Sequence, residues 1–514
     1  MFRKNNNIIP FFFIFIVSVI LSYSYSFYQV ALDGGLVLSG IIDYPNPISP
    51  LKYYYHNSWT LLHQISEILL KLDFSITNAS RILLFFSTFS FGIAAYLILT
   101  KFTNDHFLSL FVSIIILILQ KNFGDTDYPS LIISNHTYGM FGLALSSLIF
   151  SLILNSSHKL SAFFSVLLVG IHPVIGIWIL SIILLSLLLQ KDKKLFKVYL
   201  KGFLYGCPII FLSFIWFIEN NIGQISFNKE NFKIYMDLWD GHRNQSGFIH
   251  YEYLIKTILL FFIVNFYLFL TNKKGEFFSK FFNLSVVLSS LIYFVYKFFP
   301  NLFADFLIKA MPTRFLILHS FVGWPFIIGS VYRICLKFNL KIKFIKKLFL
   351  ILVILHSIQQ YKNFIDVKQG FLKQLSIQNE NNENSIFKEI SKSSYEGYFI
   401  TTKSTTSQIG RIALKPALVH LYSFNFIPYH PYLVDIYFEI LNDVYKIDIN
   451  NPPILNSTDI PDIFIKDEFE NKSRTDWIAL KKKYNANYVA APTEWKIQLD
   501  LIKRNKFFSI YKIQ

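Results

Sequence analysis

Several groups of residues have types and spacings that could do chemistry. Asp33-Gly34-Gly35 comes directly after the first apolar run, and Asp43 and the cluster Tyr53-Tyr54-Tyr55-His56 follow shortly. A carboxylate beside a bilayer is costly in lipid and faces a partner, a cavity or water, so by default it marks a place where a membrane-bound reactant meets an aqueous one. Asp125 and Asp127 are separated by one residue. Their hard oxygens could share magnesium or manganese, or bind sugar hydroxyls, and the same pattern also suits an Asx-turn. His172 precedes Pro173 between two apolar runs. The broken hydrogen-bond ladder there points it into a bundle interior or wet cavity, unless backbone carbonyls satisfy it. Asp237-Leu238-Trp239-Asp240-Gly241-His242-Arg243 joins acidic, aromatic and basic groups, suited to recognising a polar ligand or to lying solvated. Arg314 opens an apolar run, where a guanidinium can hold phosphate oxygens bidentately or snorkel to the interface.

The elements that must position these residues are set by hydropathy. Apolar residues form 53% of 514 positions, and mean hydropathy is +0.42. Runs near the length needed to cross about 30 Å of hydrocarbon recur, which makes this a polytopic α-helical membrane protein. They are Ile8–Tyr28, Ile82–Thr100, Phe107–Leu119, Tyr138–Leu154, Ser161–Ile171, Val174–Leu189, Val198–Ile218, Tyr253–Leu270, Phe281–Phe299, Arg314–Tyr332 and Lys347–Gln360, about eleven crossings. The first exceeds the core of a signal peptide, about 7 to 15 residues, and is expected to stay as an anchor. The net charge of +17 does not point to nucleic acid, because Lys and Arg gather in short loops as topology signals. Lys191, Lys193, Lys194, Lys197 and Lys201, then Lys273, Lys274 and Lys280, then Arg333 to Lys347, alternate with poorer loops. This places the amino terminus in the cytoplasm and loops 29–81, 120–137 and 219–252 outside. Cys207 and Cys335 support neither a disulfide nor a metal site.

In the first outer loop, Trp59–Leu72 puts Leu61, Leu62, Ile65, Ile68, Leu69 and Leu72 on one helical stripe, with Ser58 as a candidate cap. Such a helix either lies in the interface with His63, Gln64, Glu67 and Lys71 toward water, or packs on the protein's own outer domain. Residues 1–361 thus form a transmembrane module. From residue 362 to 514 the chain is polar, and an odd number of crossings puts it outside. Strands are expected at Tyr398–Thr402, Leu418–Tyr422, Asn487–Ala490 and Phe507–Ile513, and helices at Tyr432–Tyr445 and Thr475–Tyr484, giving a small α/β domain. It contains no zinc, Walker, dinucleotide or serine-hydrolase signature.

This arrangement resembles the C-type glycosyltransferase (GT-C) superfamily over the whole chain: a cytoplasmic amino terminus, a large first outer loop with membrane-proximal acid, many spans and an outer carboxy-terminal domain. Locally, Phe123–Tyr128, His136–Gly139, His172–Gly176 and Asp476-Trp477 through Tyr488-Val489 look like segments of uncharacterised bacterial members. The resemblance implies residence in the bacterial cytoplasmic membrane, a polyprenyl-phosphate-sugar donor, inversion at the anomeric carbon and a glycan, lipid or protein acceptor from the periplasmic side. It implies Asp33 as base with Asp43 in reserve, since the key acid of the superfamily commonly lies in this loop; here the usual acidic and aromatic context is replaced by Asp33-Gly34-Gly35. Arg314 and His172 would hold donor phosphate. Asp125, Asp127, His136, Asp240, His242 and Arg243 would bind acceptor or sugar, with Asp125 and Asp127 the ligands of any magnesium or manganese. The competing classes are a transporter or flippase of lipid-linked saccharides, whose signature is paired interrupted helices, and a polysaccharide polymerase or ligase, which usually relies on outer-loop arginines.

Overall fold

A computed structural model describes residues 8–25, 32–46, 49–119, 123, 137–223, 226–241, 251–299, 311–338, 341–359, 361–375, 384–420 and 423–514. Each apolar run of the sequence forms a helix: α1 (Ile8–Tyr25), α5 (Ile76–Thr103), α6 (His106–Leu119), α7 (Thr137–Leu154), α8 (His158–Ile171), α9 (Pro173–Gln190), α10 (Lys193–Asn220), α12 (Tyr251–Leu270), α13 (Phe277–Phe298), α14 (Ile317–Lys337) and α15 (Ile342–Gln359). Seven described helices are long and apolar enough to cross a membrane, which marks a multi-pass membrane protein; α6, α8 and the apolar part of α7 are shorter. The expected figure of eleven is therefore not reached by length and composition.

The first outer loop folds into α2 (Asp33–Leu38), α3 (Pro50–Asn57) and α4 (Leu61–Lys71). Helix α4 corrects the expectation of a water-facing polar side. His63 is 1% and Glu67 4% exposed, whereas Ile65, Ile68 and Leu72 are 37%, 39% and 64% exposed. Gln64 explains the inversion: its Nε2 donates to the Ser213 carbonyl at 2.7 Å, and its Oε1 accepts from Ser213 Oγ at 2.5 Å. Polar groups at the edge of an apolar bundle are satisfied inside it. Gly34 and Gly35 permit the close packing of α2 on α4. A Cβ at Gly34 would fall 2.3 Å from His63 Cδ2, and one at Gly35 2.4 Å from Ser66 Cβ.

Beyond α10, α11 (Lys229–Ile234) runs into a π-turn at Tyr235–Trp239. After α15 the polar chain first forms α16 (Tyr361–Leu375), a helix the sequence did not suggest, and then the carboxy-terminal domain. Its elements are α17 (Ser385–Ser391), β1 (Tyr398–Thr401), α18 (Lys403–Arg411), α19 (Leu433–Tyr445), α20 (Lys466–Asn471), α21 (Arg474–Tyr484), β2 (Ala486–Pro492), β3 (Asp500–Arg504) and β4 (Phe508–Lys512). The sheet order is β1-β2-β4-β3, parallel between β1 and β2 and antiparallel elsewhere. Asn505 Oδ1 accepts from the amides of Phe507 and Phe508 at 2.9 and 2.7 Å and closes the β3–β4 turn. Ala417 makes an isolated bridge to Phe399, and among the described residues 418–420 of the expected strand Leu418–Tyr422 no strand forms.

Period-two alternation gives the sheet two apolar faces. Phe399, Tyr488, Ala490, Phe508 and Ile510 pack with Ile386, Phe387 and Ile390 of α17, while Tyr398, Ile400, Val489 and Tyr511 belong to a core continuous with the helical bundle. The domain is docked by polar ties as well. Tyr235 Oη donates to the Phe424 carbonyl at 2.7 Å, Trp239 Nε1 to the Ile449 carbonyl at 2.8 Å, and the Asn228 amide to Asp435 at 2.8 Å.

Candidate functional site

Where the first loop, the α8–α9 turn, the turn Pro312–Leu316 and the carboxy-terminal domain converge, they enclose a cavity of about 370 Å³. Its walls are largely apolar, with Leu143, Ile171, Val174, Ile175, Phe315 and Ile317 among the lining residues. The polar groups come from four places. The Thr60 side chain caps α4 by accepting from the Leu62 amide, and its hydroxyl donates to the Ile171 carbonyl at 2.8 Å, joining α4 to the end of α8. His63 sits one turn into α4, with Nδ1 3.3 Å from the Ser58 carbonyl. Ser58 Oγ lies 2.9 Å from Nε2 of His430, so the carboxy-terminal domain supplies a wall. That contact is steadied by Tyr54, which meets His430 edge-on at 5.2 Å and stacks on Phe426 at 3.8 Å.

His172 lies at the hairpin between α8 and α9. Its Nδ1 accepts from the Ile175 amide at 3.4 Å, and Pro173 opens α9, where a missing N–H costs nothing. The hairpin is tight: a Cβ on Gly176 would fall 2.4 Å from the Val169 backbone, so the chain reverses here and does not continue as one broken helix. Arg314 lies in the Pro312–Leu316 turn, beside His172 and close enough to act on its charge. Phe315 next to it stacks on Trp178 of α9 at 4.3 Å, which holds the turn against the hairpin.

Electrostatically, among the described residues the cavity is lined by one permanent cation and neutral imidazoles. Burial pulls His430 down to about 4. Burial does the same to His63, also to about 4, against the opposing pull of the Ser58 carbonyl and Asp33. Both are uncharged near neutral pH and able to donate or accept a hydrogen bond. Arg314 keeps its charge at any physiological pH. Among the described residues no Asp or Glu lines the cavity.

The structure brings together His172 and Arg314 of the residues singled out in the sequence. Asp33 lies elsewhere. Its Oδ1 and Oδ2 accept from Arg411 Nε at 3.0 Å and Nη2 at 2.7 Å, a bidentate pair across the boundary with the carboxy-terminal domain. Partial burial works against the Asp33 charge, but Arg411, helped by His420 and His63, outweighs it and holds the carboxyl below its ordinary value of 3.8. Asp33 begins α2 and Arg411 ends α18, so each also suits the dipole of its own helix. Asp43 is exposed, near Tyr398. Asp240 is fully buried behind Trp239, whose ring stacks on Phe424 at 5.8 Å; this tryptophan anchors the domain and presents no face to a sugar. Asp125, Asp127, His136, His242 and Arg243 lie outside the described residues. Among the described residues no group of three His, Cys, Asp or Glu side chains is placed to hold a metal ion.

Sequence reasoning missed His430, Tyr429 and Ser58 as neighbours of Arg314. No local signal could have found them, since Ser58 and His430 are 372 positions apart. No protein-family model and no curated protein matches the chain.

Proposed function

We propose that the chain is a membrane glycosyltransferase that moves a sugar from a polyprenyl-phosphate-linked donor to an envelope acceptor. In this reading it crosses the cytoplasmic membrane eleven times and carries its last domain outside. The observation that supports it is the cavity: largely apolar walls of a chemistry suited to a lipid-like chain, one described guanidinium at a helix boundary suited to a phosphate, and neutral hydrogen-bonding groups beside it. In the reaction, the acceptor oxygen attacks the anomeric carbon from the face opposite the phosphate. The bond from that carbon to the phosphate oxygen breaks, its electron pair leaving on the lipid phosphate, and the acceptor proton passes to a base.

Arg314 neutralises the departing phosphate. Of the described cavity groups, the imidazoles of His63, His172 and His430 are able to take the proton, and Asp33, ion-paired behind α4, acts as a positioning carboxylate. The break at His172-Pro173 closes a hairpin between packed helices, which supports the transferase reading over transport through a broken helix.

The test is transfer by purified full-length protein in liposomes, given labelled polyprenyl-phosphate sugars and envelope acceptors. Arg314→Ala is expected to lower the rate by about 10² to 10³. His63→Gln, His172→Gln and His430→Gln then rank the candidates for the base, Asp33→Asn tests the positioning carboxylate, and Asp125→Asn and Asp127→Asn test the acceptor or metal role. Absence of transfer with every donor, or an Arg314→Ala variant as fast as wild type, sinks the reading. Orientation is read separately from labelling of Lys392→Cys, an exposed position, in a background lacking Cys207 and Cys335. Reaction only with a cytoplasmic reagent overturns it.

A further inference from the structure

We propose that the opposite end of the bundle carries a second binding site, for a phosphate-bearing anion. Helices α5, α12 and α14 end around a cavity of about 600 Å³ lined by Lys101, Lys273, Arg333 and Lys337, with Asn104 and Asn272 between them. This end is distinct from the cavity under the carboxy-terminal domain. Arg314 and Arg333 lie at opposite ends of one helical stretch, roughly 30 Å apart at about 1.5 Å per residue.

Two ordinary explanations fall short. Cations do offset helix C-termini, but three such termini supply about half a negative charge each. Glu276, 3.6 Å from Lys273, supplies one more, and the cavity stays positive. Asp105 is already engaged by Lys346. Topology signalling requires only that cations lie at this end, as the exposed Lys193 and Lys194 do; it gives no reason for four to converge on one concave surface. The α9–α10 turn bearing those two lysines shares this end, since Lys280 Nζ donates to the Leu189 carbonyl at 3.0 Å.

Convergence is itself costly. Lys101 and Lys273 stand close enough to repel, and among the described residues Lys101, Arg333 and Lys337 have no ion-pair partner. A counter-anion relieves that repulsion. Phosphate oxygens accept from ammonium and guanidinium alike, and the neighbouring amides supply further donors. The phosphate can belong to an anionic lipid headgroup entering beside Leu270, Ile334 and Leu336, or to a soluble phosphate.

The experiment uses full-length protein in a neutral maltoside detergent, titrated with fluorescent phosphatidylglycerol, with fluorescent phosphatidylcholine as reference and inorganic phosphate as competitor. Wild type is expected to prefer the anionic lipid. Arg333→Gln with Lys337→Gln should weaken it by on the order of tenfold, and Lys193→Gln with Lys194→Gln should leave it unchanged. Displacement by millimolar inorganic phosphate assigns the site to a soluble phosphate, and resistance to it assigns the site to the headgroup. Binding of inorganic phosphate alone, lost in the same variant, also supports the site. Lys337 is exposed, so Lys337→Gln alone serves if the double variant unfolds. No binding of either probe, or equal loss in the Lys193 and Lys194 variant, overturns the proposal.

Discussion

The two ends of the helical bundle contain cavities of opposite design. Under the carboxy-terminal domain, one guanidinium among the described residues stands with uncharged imidazoles, hydroxyls and apolar walls, and Ser58, Thr60 and His430 are fixed by partners from other elements. At the far end, four cations converge with little to neutralise them. The difference teaches that positive charge is a poor marker of a reacting centre in a membrane protein. In the proposed reading, lysines at one end orient the chain and attract anions. At the other end a single charge in an apolar cavity interacts more strongly with a ligand, because little water screens it.

The largest expected effect breaks one end and spares the other. Trp239→Ala removes a fully buried indole that joins the domain to the bundle. It should cost about 3 to 5 kcal/mol, seen as a lowered unfolding midpoint and faster proteolysis of the last domain. Binding of phosphatidylglycerol at the far end should persist if the two cavities are independent.

Acidification should separate the ends next. His63, His420 and His430 are each held by burial near 4, below the ordinary 6.5, so between those values the unfolded chain binds more protons. Stability is therefore expected to fall as pH drops through that window, and His430→Gln should flatten the fall in thermal unfolding scans. The far end, charged by Lys and Arg throughout, should give no such slope.

A smaller effect concerns the inverted helix. Gln64→Leu leaves the Ser213 hydroxyl without its buried acceptor, while the Trp59 indole keeps its bond to Ser213 Oγ at 3.0 Å. A loss of about 1 to 3 kcal/mol in the unfolding free energy is expected. The smallest effect is at Arg411. Its pair with Asp33 is 39% and 36% exposed on the two sides, so Arg411→Ala should cost about 1 kcal/mol or less at neutral pH. The Asp33 carboxyl is depressed in the folded state, so this contribution is present above the ordinary 3.8 and is lost as pH falls through the lower folded value. The difference between wild type and variant in unfolding scans should therefore shrink as pH falls below the ordinary 3.8.

Helices were legible wherever hydropathy was continuous, and β1, β2, β4, α19 and α21 wherever apolar period was clear. Strand β3 was not, because Asp500, Lys503 and Arg504 dilute the alternation of an exposed edge. Helix α4 was found, but of its two expected settings the one with His63, Gln64 and Glu67 toward water does not occur, since these three side chains are buried. Arg314 and His172 were legible as a charge and a helix break beside apolar runs, each a local property. The loss of Asp33 to Arg411 was not legible, because its partner comes from 378 positions away.

The central claim is that the cavity under the carboxy-terminal domain holds a lipid phosphate at Arg314. Cryo-electron microscopy of the full-length protein in nanodiscs with saturating polyprenyl phosphate tests it most directly. The account predicts phosphate density within about 3 Å of the Arg314 guanidinium, with the acyl chain leaving along the apolar wall. A phosphate bound elsewhere, or an empty cavity at saturation, would contradict it.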